Sequence, residues 1–244
     1  MSVPATPVFR ILAAALALAV ASCSQSESRE DTPRVDTVEV YAPIELKPLI
    51  DSLQTRYLSE ANLALYTTAG TQSYLESQAA TASSADLVVL VERPEQAFQD
   101  QHNWIAERLV IFNHADATQI SLGDIASTRG TIASVSQIEP LGMHTRLALR
   151  TEGLWAELES RVRLHTSPED VIEAVVDKDA AFGITLASQV PHQSPLRILA
   201  DLQLPPNIRV RYVLVPLTDN GRALASWLLE DPIIDLARSM GYTH

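Results

Sequence analysis

The only thiol in the chain, Cys23, follows Val20-Ala21-Ser22, while the six histidines and eight glycines are scattered. A lone cysteine has no disulfide partner within the chain. What it can do is attack, as a thiolate, or accept a covalent group. His144 and His165 lie far apart and lack the close spacing of metal ligands, so each reads as a surface or packing histidine and no metal site is expected. No phosphate-cradling P-loop, dinucleotide glycine pattern or Gly-x-Ser-x-Gly elbow occurs. Catalytic residues and cofactors are therefore not expected, and binding is the stronger class of function.

The segment before Cys23 decides what its thiol does. Arg10 supplies a positive start, and residues 11–21 form an uncharged apolar run. That run is shorter than the about 20 residues a bilayer-spanning helix needs and fits the apolar region of a secretory leader. Val20-Ala21-Ser22-Cys23 resembles the lipobox of bacterial lipoprotein signals. The resemblance implies that residues 1–22 are a signal peptide and that Cys23 carries lipid. Acyl chains on the sulfur and on the new amino terminus would anchor the protein stably, since one chain alone binds only marginally. Residues 23–36 are polar at their start and read as a disordered tether. The expected location is periplasmic and membrane-anchored. Ser24 after the cysteine favours the outer membrane by resemblance to enterobacterial sorting rules, and the leaflet stays open.

The remainder is long enough for one large domain or two small lobes. A formal net charge of −12 disfavours nucleic-acid binding. It also leaves no basic surface to steer anions from a distance. An anion site would have to be local, built from backbone N–H groups and hydroxyls.

Strand and helix patterns alternate along this remainder. Val38-Glu39-Val40-Tyr41 reads as a strand broken by Pro43, followed by a helix with Leu46, Leu49, Ile50, Leu53 and Tyr57 on one face. Residues 62–66 read as a second strand, Thr67-Thr68-Ala69-Gly70 as a turn, and Thr71 as the cap of the next helix. Residues 85–91 form a continuous apolar run, as a buried parallel strand does. Strands are further expected over 108–112, 131–135, 181–186 and 209–215. Helices are expected over 142–150 and 171–178, with two more closing the chain. Ser167-Pro168-Glu169-Asp170 is a strong helix start: a capping serine, proline in the first turn, then acids. Successive strand–helix units argue for α/β architecture with parallel sheets.

The order of these segments resembles the periplasmic molybdate-binding proteins of ABC importers, a branch of the two-lobed type II solute-binding proteins. Ala85-Asp86-Leu87-Val88 is similar to the family's Ala-Asp-Leu/Val strand. Residues 139–149, with Pro140, Leu141 and Gly142, are similar to its Pro-Ala-Gly segment. Ser167 to Val171 with the later Gly183-Ile184, and the terminal Met240-Gly241-Tyr242, complete the likeness. The resemblance implies two lobes, each a mainly parallel sheet flanked by helices. Residues 37–110 and 210–244 would form the first lobe and 111–209 the second. It also implies an oxyanion such as molybdate or tungstate in the cleft, and an ABC permease in the inner membrane as partner.

Carried over residue by residue, the resemblance places the ligand site at Glu45, Thr68, Ala69, Leu141, Val171 and Leu186. Leu141 and Val171 would contribute backbone N–H groups. The family's three hydroxyl donors fall on Glu45, Ala69 and Leu186, which cannot replace them, and Thr67 or Thr68 could substitute only if the loop shifts. Hydrogen bonds to a charged group contribute about 1.5–3 kcal/mol each, so this departure matters. Three outcomes stand open for Glu45. It can turn away as a first-turn acid, mark a cationic or hydroxyl-rich solute, or fill the anion site with its own carboxylate. The expected function is a solute-binding lipoprotein of a molybdate-type importer. The alternative is a diverged scaffold with a non-oxyanion ligand or none, acting in sensing or interaction.

Overall fold

The computed structural model describes residues 36–81, 84–93, 96–137, 140–191, 195–206 and 208–244. The leader, Cys23 and the tether up to residue 35 lie outside the described residues. Residues 36–244 form one compact unit containing two five-stranded mixed sheets.

The first sheet has the order β2-β1-β3-β10-β4. It is built from β1 (Thr37–Pro43), β2 (Ala64–Gly70), β3 (Leu87–Val91), β4 (His102–Glu107) and β10 (Val210–Pro216). β1 runs parallel to β2 and β3, and β10 runs antiparallel to β3 and β4. The second sheet repeats this plan in the order β7-β6-β8-β5-β9. Its strands are β5 (Leu109–His114), β6 (Ile132–Val135), β7 (Val162–His165), β8 (Phe182–Leu186) and β9 (Leu196–Asp201). Again three strands run parallel and the remaining two pair antiparallel. The helices are α1 (Lys47–Ala61), α2 (Gln72–Ala80), α3 (Pro140–Thr151), α4 (Trp155–Leu158), α5 (Pro168–Val176), α6 (Asp219–Leu228) and α7 (Asp231–Ser239).

Every residue of β3 is buried because both faces of the sheet are covered. Leu87, Val89 and Val91 pack with Leu49 and Leu53 of α1. Val88 and Leu90 pack on the other side with Leu75 of α2. The second sheet divides its side chains the same way: Val110 and Phe112 meet Val171 and Val175 of α5, and Ile111 and Ile184 face the opposite core.

Thr67-Thr68-Ala69-Gly70, expected as a turn, instead ends β2, paired in register with Val40 to Pro43. Parallel pairing uses backbone groups, so small and hydroxylated side chains do not end the strand. β1 likewise runs through to Pro43, whose missing N–H is tolerated at a strand end. β4, β7 and β9 have no counterpart among the sequence expectations.

The chain passes from one sheet to the other twice. Only Arg108 separates β4 from β5, and the return runs from β9 to β10. Arg108 Nη1 reaches both carboxylate oxygens of Asp201, at 2.9 and 3.0 Å, tying the two crossings together. The carboxyl end of the chain returns to β4, where Thr243 and Ala106 exchange backbone hydrogen bonds of 2.7 and 2.8 Å.

Candidate functional site

Strand-to-helix turns from both sheets converge on one cavity of about 670 Å³. From the first sheet come Glu45, in the 3-10 turn after β1, and Ala69 to Gln72, where β2 enters α2. From the second come Ser136 and Leu141, where β6 enters α3, and His165 to Pro168, where β7 enters α5. This is the carboxyl end of the parallel strands in each sheet, the usual ligand position in open α/β sheets. The size falls within the about 300–1,000 Å³ typical of small-molecule sites.

Local hydrogen bonds fix the walls. Gln72 is buried and clasps the end of β3: its amide donates to Val91 O at 3.0 Å and accepts from Val91 N at 3.1 Å. Thr71 caps α2, its hydroxyl accepting from Tyr74 N at 3.4 Å. Ser167 and Asp170 form a reciprocal capping box at the start of α5, with bonds of 3.2 and 3.0 Å. A capping hydroxyl that accepts from the backbone keeps its own proton for donation. Thr71 and Ser167 can thus hold their helices and still offer a donor to the cavity. Gly142 lets α3 begin close to β6, because a Cβ there would sit 2.1 Å from Ser136 O.

Glu45 is one of the residues that line the cavity. Its carboxylate accepts from Tyr212 Oη at 3.4 Å, and its carbonyl accepts from Gln189 Nε2 at 2.9 Å. Behind it lies a second carboxyl, Glu107, only 6% exposed at the last position of β4. Glu107 Oε2 accepts from Ser188 N at 3.2 Å, and its Oε1 has no partner among the described residues. Burial pushes the Glu107 carboxyl up to about 8, and the nearby Glu45 charge adds to that, against the opposing pull of Ser188. The Tyr212 hydroxyl is likewise raised by burial and by the Glu45 and Glu107 carboxylates. Glu45 therefore sits in the cavity wall while Glu107 occupies the crossing between sheets.

Of the residues expected at the site, Glu45, Ala69 and Leu141 line the cavity; Thr68, Val171 and Leu186 are not among its lining residues. Thr68 is half-buried within β2, paired with Tyr41. Val171 is fully buried in the core, and its N–H donates to Ser167 O at 3.3 Å inside the first turn of α5. Leu186 is fully buried opposite Leu109. Hydroxyl residues that the sequence reading missed take their place in the wall: Thr71, Ser136, Thr166 and Ser167. The available signal was position, since each stands where a strand gives way to a helix.

Among the described residues no lysine or arginine lines the cavity, and no group of three histidine, cysteine or acidic side chains could hold a metal ion. The wall offers hydroxyls, the starts of three helices with their electropositive N–H groups, one carboxylate and one imidazole.

Two α/β lobes with a cleft at the strand ends are the fold of the type II periplasmic binding proteins. The chain belongs to the bacterial extracellular solute-binding protein family, whose family model matches residues 38–243. The fold is shared with the substrate-binding domain assigned to a molybdenum ABC transporter from Clostridium difficile. That likeness has a TM-score of 0.71 and 16% identity, covering 85% of this chain and 98% of that one. The periplasmic molybdate-binding protein of Azotobacter vinelandii superimposes with a TM-score of 0.67 at 14% identity, covering 85% of this chain and 99% of its own. The tungstate-binding protein of Desulfovibrio alaskensis G20 gives 0.58 at 15% identity, covering 85% and 98%. No curated protein matches in sequence. No helix among the described residues is long and apolar enough to cross a membrane.

Proposed function

We propose that this protein is a lipid-anchored extracytoplasmic binding protein that captures a small solute in its cleft and delivers it to an ABC permease. It is a carrier and not an enzyme. The observation that carries the reading is the cavity walled by turns from both sheets, with Glu45 and Ala69 on one side and Leu141 and Ser167 on the other. A solute touching both walls draws the lobes together, and closure is a state that a permease can read. Cys23, at the end of the apolar leader, supplies the anchor, and the tether holds the carrier near its membrane. Arg108 is the boundary between lobes in this reading, because Leu109 and Val110 pair with Leu186 and Thr185 in the second sheet.

Glu45 selects the solute. An ionised carboxylate about 4 Å from an anion costs on the order of 4 kcal/mol per unit charge at an effective dielectric of 20. The reading favoured here is a solute that presents a cationic or donor-rich group to Glu45. The hydroxyls of Thr71, Ser136, Thr166 and Ser167 favour a second reading, an oxyanion such as the molybdate or tungstate named for the similar proteins. Calorimetric titration of the full-length protein with molybdate, tungstate and sulfate separates the two. No heat with any of the three is expected, and tight binding of molybdate or tungstate would replace the donor-bearing solute by the oxyanion. A scaffold acting in sensing or interaction without a solute is the remaining alternative, and recovery of a bound solute from the native protein would dismiss it.

A further inference from the structure

A second cavity, of about 410 Å³, adjoins the cleft. Pro140 lines both, and at two strand ends the lining passes from one to the other within a single residue: Val91 to Glu92, and Ser136 to Gln137. The character of the wall changes sharply across that border. The cleft has no arginine or lysine among its described lining residues, whereas the groove has Arg93, Arg146 and Arg150. Arg93 is already matched by Glu76 at 3.1 Å, and Glu92 by Arg211 at 3.0 Å. No carboxylate among the described residues pairs with Arg146 or Arg150.

Arg146 and Arg150 stand one turn apart on α3, a spacing at which like charges repel. The Arg146 guanidinium lies 5.3 Å over the Trp155 ring, which fixes its plane. Its Nε is shielded from solvent and has no hydrogen-bond partner among the described residues. A planar guanidinium with spare donors, beside a second one, fits the two oxygens of a carboxylate or the oxygens of a phosphate. In a chain with a net charge of −12, these cations do not steer anions from afar; they act at contact.

We infer that the groove is an anion subsite of the cleft: Arg146 and Arg150 hold the carboxylate or phosphate of a zwitterionic solute whose cationic end meets Glu45. This rests on the reading of the cleft as a solute site. It adds that the solute carries both charges, and that its anionic end lies against α3.

The probes are 4-aminobutyrate, 6-aminohexanoate, 8-aminooctanoate and 3-aminopropylphosphonate, titrated calorimetrically into the full-length protein beside hexanoate and hexylamine. At least one zwitterion binds tenfold or more tightly than either single-charge compound. The R146Q/R150Q variant loses that advantage, and so does Arg150→Gln alone in part, at an exposed position that does not disturb the Trp155 contact. Arg146→Lys, which keeps the charge but not the fork, falls between. No zwitterion binding better than hexylamine, or an unchanged advantage in R146Q/R150Q, would overturn the subsite. If a solute recovered from the native protein binds R146Q/R150Q as well as it binds the wild type, the subsite falls while the solute-binding reading stands. If the native protein yields no solute, the solute-binding reading falls first.

Discussion

Glu45 is held in the cleft wall by two contacts, Tyr212 Oη on its carboxylate and Gln189 Nε2 on its carbonyl. Removing its charge while supplying a hydroxyl should convert the site. Glu45→Ser is expected to raise molybdate affinity at least 100-fold, measured by calorimetry, because about 4 kcal/mol of repulsion per unit charge is relieved and about 1.4 kcal/mol is a factor of ten. Glu107 gives a pH signature. Its carboxyl titrates at about 8 in the folded protein and near the ordinary value of about 4.3 in the unfolded chain. Between those values the folded state holds the extra proton, so its stabilisation is full below the unfolded value and lost as pH rises through about 8, by up to about 1.4 kcal/mol per pH unit. The thermal midpoint of the wild type should therefore fall relative to that of Glu107→Gln from about pH 5 to about pH 8 and run parallel to it above. A constant difference across that range would show that Glu107 is ionised when buried.

Among the elements, α3 and α5 shape the second wall, and each depends on one small residue. At Gly142 an added Cβ meets Ser136 O at 2.1 Å, and backbone on both sides leaves little room to give. Gly142→Ala is expected to cost about 1–3 kcal/mol, as overpacking does, read as a lower urea midpoint. At Ser167 the loss of the capping hydroxyl should cost about 1 kcal/mol, and under the proposed function it should also weaken solute binding because Ser167 lines the cavity. The start of α5 was legible in the sequence because its cap, proline and acids are local signals. The central strands β3 and β10 were legible as apolar runs buried on both faces. The strands β4, β7 and β9 were not, because they are the outer strands of their sheets and polar or charged residues shorten or interrupt their apolar runs. The site was legible in the same partial way. The family resemblance pointed to Glu45, Ala69 and Leu141, and these line the cavity. Leu186 ends its strand inside the core, and which end residues face a cleft depends on how a second sheet is placed, which no local pattern encodes.

At the scale of the whole molecule, two sheets built on one plan are joined by two crossings, and the crossings meet at Arg108 and Asp201. Glu107, Ser188, Tyr212 and Glu45 connect that joint to the cleft wall, so under the proposed function a solute at Glu45 would act beside the crossings. Under the proposed function this cleft carries a small solute. Ala69 is an exposed residue of the wall, and a large side chain there would fill the cavity without entering the core. Native mass spectrometry of the full-length protein purified from its own cells reads that solute directly, with Ala69→Trp as the blocked comparison. One small molecule retained by the wild type and absent from Ala69→Trp is expected. A wild-type protein that carries no small molecule, or a blocked variant that carries the same one, would rule out a solute in this cleft.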